Sequence, residues 1–448
     1  MTETFRAMLT RLDKDGELLR LGQDVDARHL SALMVKADKP VLFEHVRGYD
    51  IPLVGGLFWT RKRLAQALAW PESELGTRFL AGLQTRIEPE LTETAPVQEV
   101  VRTGRDVDLT ALPIPFLAEK DGGPYISAGV VLARADAGIV NAGVYRLMYR
   151  CRDETGIDLV TASDLRRLYE AALGRKEPLP ISVSLGAHPV ELLSAAYKAP
   201  PGLGELTIAG GLHGGPVRLA RCRTIDVPAL ADAEIVLEGA LLPIGWSEDE
   251  GPFGEFAGMY GDLKWNPVFK VSAITHRRDA VFHAIQMPWE NAWLGAAVTE
   301  AQVWDVLRRA GVDVVNVAVT EGSACRFSVI AAIRKRAGEG KNALMAILSL
   351  PDTKHAIVVD HDIDIFDPTQ VEWARTFCVQ ADRDVVVIEG VRAKHIDPSV
   401  KPWELGKGEL PVTAKMGVDA TIPEGIPRRY YERIKPAFLD EVRIDADR

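Results

Sequence analysis

The feature that most restricts the fold is a change of periodicity along the chain. Between about residues 96 and 300, runs rich in apolar and β-branched residues (127–134, 139–150, 181–186, 217–223, 234–242 and 268–276) alternate with Gly- and Pro-rich turns. One helical stretch, 164–173, interrupts them. Short strands separated by turn signals predict a barrel or a sandwich. After residue 300 the pattern becomes strand–helix alternation. Residues 312–319, 325–333, 356–359 and 385–388 read as strands, with helices over 340–350 and 370–376, which is α/β layering with a largely covered sheet. At the N-terminus Phe5, Met8, Leu9 and Leu12 recur at helical spacing until Gly16, a strand follows around Leu19 and Leu21, and an amphipathic stretch 61–70 is closed by Pro71. Because 448 residues exceed what one core serves, three units are expected: an α/β domain over 1–95, a β-rich domain over 96–300 and an α/β domain over 301–448. The basic, aromatic tail 427–437 is expected to form a helix docked on a partner subunit.

Charge narrows the range of partners. The net charge of -10, from 53 basic and 63 acidic residues, argues against a nucleic-acid or anionic-membrane surface. Cys151, Cys222, Cys325 and Cys378 show no CxxC spacing, so neither a disulfide framework nor a thiolate zinc site is expected. Glu3, Arg6, Arg11, Asp13 and Lys14 break up the first twenty residues and leave no signal-peptide core. No apolar run approaches the roughly 20 residues of a membrane-spanning helix. The expected location is the cytoplasm.

Two segments carry groups suited to chemistry. In Glu250-Gly251-Pro252-Phe253-Gly254-Glu255, two carboxylates bracket a turn in which Gly251 and Gly254 permit unusual backbone angles and Pro252 adds rigidity. Such a loop can aim both carboxylates into one cavity, where repulsion and burial raise at least one pKa and yield a proton donor. The bland alternative is a solvated acidic turn. In 140–148, Arg146 stands in an apolar strand, so it needs an anionic partner or faces a site; a guanidinium grips a carboxylate with two parallel bonds. An ordinary structural Arg–Glu pair is the alternative. Asn141, Asp164 and Glu205 together offer oxygen ligands for Mg or Mn. Separately, Asp164 reads as a helix N-cap, Glu205 as a residue exposed in a Gly-rich loop, and Lys354 as a surface lysine.

These motifs, taken in order, resemble the UbiD family of reversible (de)carboxylases that use prenylated FMN. The resemblance runs over most of the chain and rests on 250–255, on Ala233-Glu234-Ile235-Val236-Leu237-Glu238-Gly239 before it, and on Leu112-Pro113-Ile114-Pro115 and Asp121-Gly122-Gly123. It also rests on Val359-Asp360-His361-Asp362-Ile363-Asp364 and Lys415-Met416-Gly417-Val418-Asp419-Ala420-Thr421. It implies a multidomain α+β/α/β chain with a central split β-barrel that binds the flavin, flanked by N- and C-terminal α/β domains, in a homodimer or larger homo-oligomer. It further implies Arg146 as the substrate-carboxylate arginine, Glu250 as its partner and Glu255 as the acid that delivers a proton after carbon dioxide leaves.

The implied cofactor-binding set is Asn141, Arg146, Ser163 and Lys354, and the implied metal set is Asn141, Asp164 and Glu205, for Mn2+ or Mg2+, with K+ as a further cation. Two departures stand out: Asp164 where the family commonly has His, and Gly143 where many relatives carry a small hydroxyl residue. The implied partners are a small carboxylic acid, carbon dioxide and a flavin prenyltransferase that supplies the cofactor. Loss of carbon dioxide from an sp² carbon leaves an anion that no side chain stabilises, so an electron sink is required. Trp289, Asn291 and Trp293 fall in a segment that lines the family's pocket, suggesting a flat, partly polar ring; core packing is the alternative for both Trp. A split-barrel FMN oxidoreductase is the competing class, but no GxGxxG follows a strand here.

Overall fold

A computed structural model describes residues 2–135, 138–200, 202–405 and 409–437. The first helix, α1 (Phe5–Lys14), starts at Thr4, whose side chain accepts from Ala7 N, and buries Phe5, Met8, Leu9 and Leu12. β1 (Leu19–Val25) pairs in parallel with β2 (Val41–Val46), which pairs antiparallel with β3 (Leu53–Gly55). The fourth strand of this sheet, Phe282–His283, comes from much later in the chain and runs parallel to β3. The N-terminal sheet is therefore completed by the segment that leaves the central domain.

The central domain closes on itself. β4 (Tyr125–Arg134), β5 (Val140–Cys151), β6 (Glu154–Gly156), β7 (Leu179–Leu185), β8 (Ile235–Leu241) and β9 (Val268–His276) form an antiparallel ring in the order β8–β7–β4–β5–β6–β9. Pairing of β8 with β9, from Ile235↔His276 to Leu241↔Phe269, shuts the six-stranded barrel. Closure removes the exposed edges that an open sheet of this size would present. Along β5 the alternation sends Leu147 and Tyr145 toward one apolar cluster, with Ile126, Val131 and Val183. Ala142, Val144 and Met148 pack in a second cluster shared with the flanking domains.

Three helices, not one, punctuate the barrel: α2 (Asp164–Arg175), α3 (Pro189–Ala196) and α4 (Glu205–His213). α4 is buried on nearly every side over its first six residues, so it has no polar stripe from which a 3.6-residue period can be read. The same holds for the first half of α5 (Trp289–Arg309), a 21-residue helix that packs against Leu75–Gln84 and leads into the C-terminal domain.

There β10 (Val314–Val319), β11 (Ser328–Ile333), β12 (His355–Asp360), β13 (Val385–Arg392) and β14 (Val412–Ala420) form a mixed sheet ordered β10–β11–β12–β14–β13. The inner strands are covered, but edge strand β13 has no buried residue. The tail forms only a short 3₁₀ turn, Arg428–Tyr431, and Arg428 binds Asp360 and Asp362 of its own chain. No helix among the described residues is long and apolar enough to cross a membrane.

Candidate active site

The loop 250–255 is built as a clamp. Gly251 has φ 99°, a backbone conformation that favours glycine. Gly254 needs its lack of a side chain for space instead, since a Cβ there would lie 3.1 Å from that of Ala118. Below the loop, Gly122 N donates to Pro252 O at 2.8 Å, and the Asp121 carboxylate accepts from Gly254 N at 2.8 Å and Ala118 N at 3.0 Å. Burial pushes Asp121 up to about 6, against the pull of those two amides and of Arg146. A Cβ on Gly122 would meet Gly251 O at 2.1 Å, so the Asp-Gly pair must be glycine at its second position.

That clamp delivers two carboxylates to one guanidinium. Arg146, 9% exposed, donates through Nε and Nη2 to the two oxygens of Glu250 at 2.8 and 3.2 Å, and through Nη1 to Glu255 Oε1 at 3.0 Å. Its Nη2 also lies 3.0 Å from Asp158 Oδ2. Glu250 is 1% exposed and Glu255 8%. The guanidinium sits 4.4 Å over the Phe253 ring. Burial opposes the charge of Arg146, but Asp158, Glu250 and Glu255 more than offset this and hold its pKa above the ordinary arginine value. The two glutamates are therefore not left simply to repel each other, as the loop alone suggested; the Arg146 cation bridges them. Lys264 Nζ adds a second donor to Glu255 Oε1 at 3.2 Å. Tyr125, whose ring tilts against Phe253 at 4.5 Å, is held well above the ordinary phenol range by burial and then by the charge of Glu250.

A second cluster lies at the other end of β5. Glu205 is the first residue of α4, buried rather than exposed in a loop, and accepts from Ala142 N at 2.8 Å and Asn141 Nδ2 at 3.3 Å. Burial pushes its carboxyl up to about 7, and the nearby charge of Asp164 acts in the same direction. Among the described residues no Lys or Arg is paired with Glu205. Ser163, not Asp164, caps α2 by accepting from Arg166 N at 3.2 Å; Asp164 is the first residue of that helix and lies 3.6 Å from Arg167 Nε. Tyr145, near Ser163, Glu205 and Asp164, is pushed up to about 12 chiefly by burial. Its ring lies over Gly143, where a Cβ would come within 2.5 Å of it.

Other candidates fall elsewhere. Lys354 Nζ is engaged by Asp397 at 2.7 Å and Ser399 at 2.8 Å in the C-terminal domain. Trp289 stacks on Trp59 of the N-terminal domain at 4.4 Å, and Trp293 is 6% exposed, so both rings are used for packing. Asn291 is held by Arg326 Nη2 at 3.2 Å, and that guanidinium lies 4.4 Å over Phe256, the neighbour of Glu255. Glu290 accepts from Gly56 N, Phe58 N and Gln286 N and is pushed up to about 7 by burial. Sequence reasoning missed Asp158, Lys264, Tyr125 and Asp121 as parts of the constellation. Only Asp121, in its Asp-Gly-Gly run, carried a local signal.

Comparison with known proteins agrees with this architecture. Profiles of the 3-octaprenyl-4-hydroxybenzoate carboxy-lyase N-terminal, Rift-related and C-terminal domains match residues 9–82, 90–288 and 292–420. The chain is 33% identical over 423 residues to anhydromevalonate phosphate decarboxylase of Methanothermobacter thermautotrophicus, covering 92% of this chain and 96% of the relative. The structure of the UbiD-class enzyme HmfF from Pelotomaculum thermopropionicum in complex with FMN is similar at TM-score 0.92 and 37% identity, over 98% of this chain and 99% of that one. An evolved dimeric form of that enzyme in complex with prFMN matches at TM-score 0.88 and 35% identity, over 99% of both chains. Apo 3,4-dihydroxybenzoic acid decarboxylase from Klebsiella pneumoniae matches at TM-score 0.87 and 27% identity, over 97% of each chain.

Proposed function

Since the chain belongs to the UbiD family of prenylated-FMN carboxy-lyases, we propose that Arg146 and Glu250 position the carboxylate of its substrate and that Glu255 delivers the proton that replaces carbon dioxide. The reaction is the reversible, non-oxidative decarboxylation of an aromatic, heteroaromatic or α,β-unsaturated acid. The observation that carries this reading is the single guanidinium shared by Glu250 and Glu255 in a nearly dry site.

The residues present fit the cofactor. Asn141 and Arg146 stand on one strand, roughly 16 Å apart along it, a span suited to an elongated mononucleotide. At the Asn141 end, the buried carboxylate of Glu205, without a basic partner among the described residues, suits Mn2+ or Mg2+, with Asp164 beside it; Asp is as good an oxygen ligand for these ions as the family's His is a nitrogen one. Ser163 and the Asn141 amide would meet the phosphate end. Lys354 would have to leave Asp397 to join them. The prenylated flavin, when bound, supplies the electron sink that side chains lack.

The protein's own part is orientation and proton handling. The carbon–carboxylate bond breaks with its electron pair left on carbon. Glu255 then gives its proton to that carbon and recovers one from solvent. Its Oε1 already accepts from both Arg146 and Lys264, so Oε2 is the oxygen that carries the proton. Lys264, a quarter exposed, links this carboxyl to solvent. Asp158 and Glu250 hold the guanidinium in place while the substrate carboxylate is bound and released.

The test is Glu255→Gln, co-expressed with a flavin prenyltransferase. The variant is expected to retain the prenylated flavin by mass while losing solvent-deuterium exchange into product. Retained exchange removes Glu255 from its role. Ordinary FMN together with NADH oxidation in the parent chain would favour the oxidoreductase alternative.

A further inference from the structure

Outside the candidate active site, one cluster among the described residues has the chemistry of a metal centre. His188, Glu191 and His213 each present a ligand atom, and these atoms all lie within 4.8 Å of one another. They come from three places: the residue capping α3, the first turn of α3, and the last residue of α4. With Glu3 they line a cavity of about 20 Å³, room for a single water or ion. The other charges on its wall, Arg218 and Asp232, neutralise each other at 2.8 Å.

The donor set is incompletely used without an ion. Glu191 Oε1 meets His213 Nε2 at 2.8 Å, but Glu191 Oε2 is buried with no hydrogen-bond partner among the described residues. His188 and His213 side chains are 4% and 5% exposed. His188 Nε2 faces Glu3 Oε2 at 3.3 Å, and Arg11 fixes that carboxylate through two bonds of 2.8 and 2.9 Å. A carboxylate that accepts from one ring nitrogen leaves the other lone pair for a metal, the usual outer-shell arrangement of a metal-bound histidine. The freed nitrogen, Nδ1, now takes Val190 N at 3.3 Å, a long contact that ligation would replace.

We infer that His188, Glu191 and His213 form a zinc site, separate from the cofactor metal, with a water completing the shell and Glu3 orienting His188. Two imidazoles and a carboxylate suit Zn2+, whereas the oxygen-rich Asn141, Asp164 and Glu205 suit harder ions. Tetrahedral donors at zinc stand about 3.3 Å apart, so the three atoms need only small rotamer shifts to converge. The consequence is positional. α4 carries Glu205 at its first residue and His213 at its last, roughly 12 Å apart. A metal at the far end ties α4 to α3 and fixes the axial position of the helix that presents Glu205.

The test uses the full chain in four forms: parent, Glu205→Gln, Glu191→Gln and His213→Gln. Zinc is measured by mass spectrometry after gel filtration, and Co2+ serves as a spectroscopic probe. Glu205→Gln is expected to keep one equivalent of zinc and to show the intense visible bands of low-coordinate Co2+. Glu191→Gln and His213→Gln should lose that equivalent, the bands and the zinc-dependent rise in melting temperature. Glu3→Gln should weaken zinc by about 10- to 100-fold rather than abolish it. If His213→Gln fails to fold, the isosteric Glu191→Gln decides. Absence of zinc from Glu205→Gln, or an unchanged zinc content in Glu191→Gln, overturns the inference.

Discussion

Replacing Arg146 by Met removes the one cation among the described residues that joins Glu250, Glu255 and Asp158, while keeping a side chain of similar length. Glu255 keeps Lys264 at 3.2 Å, and Asp158 keeps only a 4.0 Å approach to the same lysine. Glu250 is left with no cation paired to it among the described residues. One stranded, buried carboxylate costs about 3–5 kcal/mol. In a unit of about 200 residues this corresponds to a fall in melting temperature of roughly 6–20 °C.

The pH dependence has a definite sign. In the variant, the fold favours the protonated form of the stranded carboxyl, so its folded pKa lies above the unfolded value of about 4.3. Stability present at low pH is then lost as pH rises through the folded pKa. In the parent, the pKa of Arg146 lies above its ordinary value and the guanidinium stays charged throughout, so its contribution is constant over this range. The gap between parent and variant is therefore small near about pH 4.5 and fully developed by about pH 8. Calorimetric melts at both pH values, together with the double variant Arg146→Met/Glu250→Gln, check this; the neutral amide should recover most of the loss. A drop of less than about 3 °C at pH 8, equal drops at both pH values, or no recovery in the double variant would refute the reasoning.

Two further perturbations address the supports of the site. Asp121 is pushed up to about 6 by burial, so the parent's stability should fall as pH rises through 6; Asp121→Asn removes that slope, worth about 2–3 kcal/mol between pH 4 and 7. Urea midpoints of the two proteins across that range report the difference. Glu290→Gln keeps one carbonyl oxygen where three backbone N–H groups converge, and should cost about 1–3 kcal/mol per group left unmet. Because burial holds Glu290 up to about 7, the parent itself loses stability as pH rises from the unfolded carboxyl value of about 4.3 through 7, so the deficit of the variant should narrow from about pH 4.5 to about pH 7.5 in thermal melts.

Local sequence determined what depends on neighbours in the chain. The apolar, β-branched runs between Gly- and Pro-rich turns gave barrel strands β4, β5, β7, β8 and β9 to within a few residues, because such side chains suit a pleated, buried surface and turn residues bound it. The Gly-Pro-Phe-Gly turn and the isolated Arg146 marked the buried Arg146–Glu250–Glu255 cluster, because a charge in an apolar strand and carboxylates around a constrained turn are costly unless paired. Helix α4 and the first half of α5 escaped notice because burial on nearly every side erases the helical stripe, and with α4 went the true setting of Glu205. Only tertiary structure could decide that a guanidinium bridges Glu250 and Glu255, that Asp158 and Lys264 join them, and that Trp289 packs on Trp59. Those contacts join residues far apart in the chain, and closing a barrel brings them together by geometry that no short window of sequence encodes.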